Sequence, residues 1–138
     1  MIRTIELIAS YWTIAGDVYP MAPNEISPFP FEKRVEVAAR AGYRGLGLLH
    51  ADLMAVSNRL GLSEMRRILD ANGIHHVELE LLSDWYAQGR ARAESDMVRK
   101  DLLEQTRIAS YEGQSVNPPF NVAFWILLLQ LICHFFNE

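Results

Sequence analysis

The stretch Ala41-Gly42-Tyr43-Arg44-Gly45-Leu46 decides the fold of this chain, because its pattern returns 31 residues later as Asn72-Gly73-Ile74-His75-His76-Val77. In both places a helix ends on a glycine, a large apolar residue follows, and two spacers lead into an apolar strand. Glycine suits the position because a left-handed helix C′ residue is strained by a Cβ. A strand-loop-helix unit repeated at this spacing implies parallel strands joined by right-handed crossovers. Closed barrels and open doubly wound sheets both satisfy the pattern.

Working outward, Phe31 to Ala41 is predicted helical from the three- and four-residue spacing of Val35, Ala38, Ala39 and Ala41. Gly45 to Leu49 is nearly continuous apolar sequence, as expected of a strand covered on both faces. Ser63 is the predicted N-cap of the next helix, which carries Met65, Ile68 and Leu69 and ends at Asn72-Gly73. His76 to Leu82 reads as a third strand, and Ala91 to about Arg107 as an amphipathic helix with Met97, Val98, Leu102 and Leu103. Upstream, Ile5 to Ser10 reads as the first strand, and a long loop follows in which Pro20, Pro23, Pro28 and Pro30 forbid regular structure. A phosphate-cradling turn would place its glycines after a strand and at the start of a helix. Gly42, Gly45 and Gly47 instead precede and occupy a strand, which reads as a helix cap and close backbone packing.

Composition narrows the class. Half of the 138 residues are hydrophobic and 22% are charged, enough to bury a core in one domain. A net charge of −4 with scattered Lys and Arg offers no stripe for phosphates, so nucleic acid is excluded as a partner. The single Cys133 forms no intrachain disulfide, which points to a reducing, cytoplasmic compartment. Ile5 to Ile14 is apolar, but Glu6 interrupts it and no small-residue cleavage pattern follows, so it reads as a strand and not a signal core.

The C-terminal region differs from the rest. From Phe120 to Phe136, fourteen of seventeen residues are apolar, and beyond Gln105 the charges are Arg107, Glu112 and Glu138. A spanning helix needs about 20 apolar residues and usually basic flanks, which this run lacks. Tail anchor, buried helix, oligomer contact and an out-of-family extension such as a shifted reading frame would create all stand as readings. The last is adopted, with burial against the sheet as its physical fate and membrane association disfavoured.

The run Val37-Ala38-Ala39-Arg40-Ala41-Gly42-Tyr43-Arg44-Gly45-Leu46, with Ile5 to Ala9 before it and Ile74 to Glu80 after it, resembles the sugar-phosphate isomerase/epimerase family of xylose isomerase-like barrels. The resemblance covers roughly residues 4 to 104, and its second recognisable part is Leu69-Asp70-Ala71-Asn72-Gly73-Ile74. It implies an α/β fold: a partial (β/α)8 TIM barrel of about three βα units over residues 1–104, followed by a divergent hydrophobic helical tail over residues 105–138. It also implies metal-assisted aldose-ketose isomerisation or epimerisation of a small sugar or sugar phosphate. In that chemistry a divalent ion (Mn, Mg or Zn) polarises adjacent oxygens while carboxylates move a proton. The family's metal set of Glu, Asp, His and Glu comes mainly from later strands, whereas the pattern here stops near Glu104. The second strand, Gly45-Leu46-Gly47-Leu48-Leu49-His50, also lacks the Glu that many relatives carry there. A complete barrel takes roughly 250 residues, so a chain of this length holds about four of eight units.

Within that frame the candidate residues follow. His50 stands just past the second strand, at the strand end where barrel enzymes place their chemistry, and is the candidate catalytic or metal-binding imidazole. Related endonuclease-type barrels use a His near this place. Its neighbour Asp52 is a candidate substrate ligand. Along the third strand His76, Glu78 and Glu80 share one face and Val77, Leu79 and Leu81 the other, so an aliphatic face toward the helices turns two carboxylates inward. Glu80, nearer the C-terminal end, is the candidate catalytic carboxylate. Trp12, Asp84 and Trp85 would wall a sugar, rings against its apolar face and carboxylate on its hydroxyls. Each has a plainer reading: backbone-bonded loop histidine, exposed carboxylate, packed aromatic. His75 reads as a surface residue at the strand entrance.

The activity expected is thus that of an isomerase/epimerase-like chain with much of its catalysis lost. The alternative from another class is a non-catalytic module that oligomerises through an open sheet edge or through its tail.

Overall fold

Five consecutive buried residues, Gly45–Leu49, form the central strand of the molecule, as their apolar run implies. The computed structural model describes residues 5–80 and 82–111. In chain order they form β1 (Ile8–Ala9), α1 (Tyr11–Ile14), α2 (Phe31–Arg40), β2 (Gly45–Leu49), α3 (His50–Leu60), α4 (Leu62–Ala71), β3 (His76–Glu80) and α5 (Gly89–Tyr111). The three strands are parallel in the order β1-β2-β3, with Gly45 opposite both Ile8 and His76, and Leu49 opposite Glu80. The chain is therefore mixed α/β, built on a small parallel sheet.

Alternation along the strands sorts their side chains. Leu46 and Leu48 of β2, with Val77 and Leu79 of β3, join one core with Phe31, Val35 and Ala38 of α2, Leu53 and Val56 of α3, Met65, Ile68 and Leu69 of α4, and Leu102 of α5. Helices α2 to α5 thus pack against one face. On the opposite face Leu49 packs with Tyr11 and Ala15 of the α1 turn. The two β2 glycines open that face: a Cβ on Gly45 would lie 2.8 Å from Ile8 Cγ1 and 2.8 Å from His76 Cβ. At Gly42 and Gly73 the φ angles of +95° and +68° give the left-handed helix ends expected from the repeat.

Several elements differ from the sequence reading. The first strand shrinks from Ile5–Ser10 to Ile8–Ala9, and Ile5 and Leu7 are exposed. Ser63 is not an N-cap: α4 starts at Leu62 after Gly61, whose φ of +79° turns the chain sharply out of α3. Helix α3 was not foreseen, because it follows β2 with no loop or capping side chain between them. The buried stripe of α2 is Phe31, Arg34, Val35 and Ala38, while Ala41 is an exposed C-cap. Helix α5 runs on across position 104 to Tyr111. The apolar run Phe120 to Phe136 and Leu81 lie outside the described residues. Among the described residues, no helix is long and apolar enough to cross a membrane.

Candidate functional site

The C-terminal strand ends bring Ser10 and Tyr11, His50, and Glu80 to one edge of the sheet. Glu80 crosses β2 to the start of α1: its Oε1 accepts the Tyr11 backbone N–H at 2.7 Å and its Oε2 accepts the Ser10 hydroxyl at 3.1 Å. Helix α1 has no side-chain cap of its own, so a carboxylate from 69 residues away in sequence satisfies its first free donor and faces its positive end. Gly47 makes room for this crossing, since a Cβ there would collide with Glu80 Oε1 and lie 2.8 Å from Tyr11 N. Both oxygens of the candidate catalytic carboxylate are thereby engaged by the chain itself.

Glu78 lies one step back on the same face. It is half-buried, and its carboxyl sits above the usual range because burial disfavours its charge and Glu80 repels it. At the strand entrance His76 Nε2 meets Glu6 Oε2 at 2.5 Å, and that contact holds the Glu6 carboxyl below its ordinary value. His75 is exposed at the same end, as its position in the sequence implies.

His50 is the first residue of α3, and its Nε2 lies 3.7 Å from Asp101 Oδ2 on α5. That separation exceeds hydrogen-bond reach, so the Nε2 is buried without a partner among the described residues. Trp12 stands edge-to-face on Tyr11 with ring centroids 5.1 Å apart and packs against the Tyr11–Ala15–Leu49 cluster. Asp84 is exposed at a left-handed φ of 57° in the turn after β3, and Trp85 stacks edge-to-face on Tyr86 at 5.5 Å. Arg92 Nη1 donates to the Trp85 carbonyl at 2.6 Å and ties that turn to α5.

Asp52 has another place altogether. It is fully buried, with Oδ2 2.8 Å from Arg34 Nη2 and Oδ1 accepting the Ser27 N–H at 3.1 Å. This pair joins α3, α2 and the loop before α2, and leaves no exposed oxygen for a substrate, which corrects its reading as a substrate ligand. Arg34 was missed as a partner. Its signal was in the sequence: positions 31, 34, 35 and 38 form the buried stripe of α2, so an arginine on that stripe calls for a buried acid. Above the pair, burial and the Asp52 charge push the Tyr11 phenol well above its usual value. The hydroxyl donates to the Glu25 carbonyl at 2.5 Å.

The donors of the described residues do not gather into a divalent-ion site. Among the described residues no three of His, Cys, Asp and Glu converge, the Glu80 oxygens are both bonded within the chain, and the acid beside His50 is the single Asp101.

The chain matches no family model, no curated protein and no solved structure.

Proposed function

We propose that the chain is a three-unit piece of a xylose isomerase-like TIM barrel of the sugar-phosphate isomerase/epimerase kind, whose described residues hold a polar sugar-facing edge but no working proton-transfer centre. The observation that carries this reading is the sheet: consecutive parallel strands in the order β1-β2-β3, with helices α2 to α5 all on one face. A doubly wound sheet covers both faces with helices, and a barrel keeps one face inward for polar and packing side chains. Ser10 and Glu80 line the inward C-terminal edge with Glu78 one step back on the same face, and His50 stands at the end of β2 toward Asp101 of α5.

Isomerisation needs a base free to take a proton from carbon next to a carbonyl. Glu80 is bonded to Ser10 and Tyr11, and Glu78, whose carboxyl is raised by burial and by Glu80, sits one step back from the strand end. No metal step is assigned, since among the described residues no three donors converge. The setting proposed is the cytoplasm, in keeping with a lone cysteine. The test has two arms: proton NMR of a ketopentose 5-phosphate in D2O with Mn²⁺ or Mg²⁺ and the protein, and the protein's backbone amide shifts in H2O with the same sugar and Mg²⁺. The expected result is shifts at the His50 and Tyr11 amides without loss of a carbon-bound proton to solvent. Deuterium incorporation that disappears in Glu80→Gln would contradict the loss of catalysis, and absence of any shift would contradict the sugar-facing edge.

A second reading, a self-associating module, has its own observations. The outer side of β3 is unpaired among the described residues, and Ile5 and Leu7 before β1 and Ile8 within it are 84%, 58% and 38% exposed. Light scattering behind size exclusion separates the readings, since a monomer at micromolar concentration removes the second.

A further inference from the structure

We propose that the cleft between α1 and α2 binds a small organic anion with an apolar body, its acidic end reaching Arg34. This cleft is separate from the sheet edge described above and independent of that reading. It has a volume of about 320 Å³, at the lower end for ligand pockets, which suits a single ring or a short chain. Ile14, Phe29 and Val37 give it apolar walls, and its charged lining residues, Lys33 and Arg34, are both cations. The Phe29 wall is seated by Gly16, where φ is +86° and a Cβ would lie 2.5 Å from the Phe29 ring.

Arg34 carries the argument. Its side chain is 2% exposed, yet Nε and Nη1 have no hydrogen-bond partner, because Asp52 engages Nη2 alone and spends its other oxygen on Ser27. A guanidinium does not release its proton in a protein, and its fork is shaped for a planar pair of oxygens. Buried donors of this kind ordinarily have an acceptor. The Tyr11 and Phe31 rings lie 5.9 and 5.7 Å from Cζ, which steadies the cation between two faces but supplies no oxygen. Lys33, at the rim, is held by Glu36 at 2.9 Å in an exposed pair that exchanges readily, so it is free to turn toward an anion. A carboxylate on an aromatic or short aliphatic body matches this wall chemistry; a bare inorganic anion lacks the apolar part, and a neutral alcohol lacks the planar acceptor pair.

The experiment titrates the full chain with phenylacetate, 2-phenylethanol and inorganic phosphate, following backbone amide shifts. Saturable shifts at Gly16, Phe29 and Val37 are expected with phenylacetate, and binding at least about tenfold weaker with the other two, the size expected for losing a hydrogen bond to a charged group. Val37 is 47% exposed, so Val37→Glu keeps the fold, checked by circular dichroism, and weakens phenylacetate by about tenfold through like-charge repulsion. Equal binding of phenylacetate and 2-phenylethanol by the unaltered protein would overturn the proposal in favour of a purely apolar cleft. Shifts confined to other residues, or none, would overturn it outright.

Discussion

Replacing Gly47 with alanine tests how Glu80 is held. The new Cβ would run into the Glu80 carboxylate, with Cδ at 2.6 Å, and would stand 2.8 Å from the Tyr11 backbone nitrogen. The carboxylate ends a flexible side chain and swings away; the nitrogen is main chain and moves only with the α1 turn. Swinging away breaks the bonds to Tyr11 N–H and Ser10 Oγ. Loss of a helix cap costs about 0.5–2 kcal/mol and crowding a packed site about 1–3 kcal/mol. Alanine also restricts the unfolded chain, which returns about 0.4–1 kcal/mol. The net expectation is a loss of roughly 2–3 kcal/mol, read as a lower urea midpoint at constant slope. With Glu80→Ala already in place, part of the collision is gone, so the double variant loses about 1 kcal/mol less than the sum of the singles. Strict additivity, or a Gly47→Ala protein within about 0.5 kcal/mol of wild type, refutes the reasoning.

Asp52→Ala leaves the buried Arg34 charge without its partner and should cost about 3–5 kcal/mol in urea unfolding, whereas Arg34→Met with Asp52→Leu recovers most of that loss. The Glu32 carboxyl is held at about 2 by the Arg59 guanidinium, whose Nη1 and Nη2 reach it at 3.0 and 2.8 Å. Its stabilising part is present above the ordinary value of 4.5 and lost as pH falls toward 2. The pair is exposed, so the loss is about 0.2–1 kcal/mol; urea midpoints at pH 7 and pH 2.5 should differ by less in Glu32→Gln. Glu78 has the opposite sign: its raised carboxyl favours the native state below the ordinary value, and that contribution is lost as pH rises through the native one. Glu78→Gln should therefore raise the urea midpoint at pH 7 relative to its effect at pH 4; an equal effect at both pH values goes against the burial argument.

The repeated glycine joint made α2, β2, α4 and β3 legible, because each glycine stops a helix by a local backbone rule. The alternation in β3 was legible for the same reason: Val77 and Leu79 meet the helices, and Glu78 and Glu80 lie on the other face. What stayed hidden depends on distant partners. Glu80 caps a helix 69 residues upstream, and nothing around either residue says so, although glycines at 45 and 47 on one face mark a place where something must approach β2 closely. Helix α3 escaped because His50 follows Leu49 directly, and an apolar strand running straight into an apolar helix offers no boundary. Asp52 read as a substrate ligand because its place after β2 was visible and its neighbour on α2 was not. The short β1 reflects pairing: the Arg44 and Gly45 amides both donate to the Leu7 carbonyl, and the ladder beyond it covers only Ile8 and Ala9.

The claim at the centre, that Glu80 is bound by its own chain and is not a free base, is tested most directly by amide hydrogen exchange at Tyr11. Its N–H is the first free donor of α1, and its acceptor is Glu80 Oε1. The expected result is a protected Tyr11 amide in the wild type that exchanges at least about tenfold faster in Glu80→Ala, while the Leu48 and Leu79 amides keep their rates. A Tyr11 amide that exchanges at the unprotected rate in the wild type would contradict it.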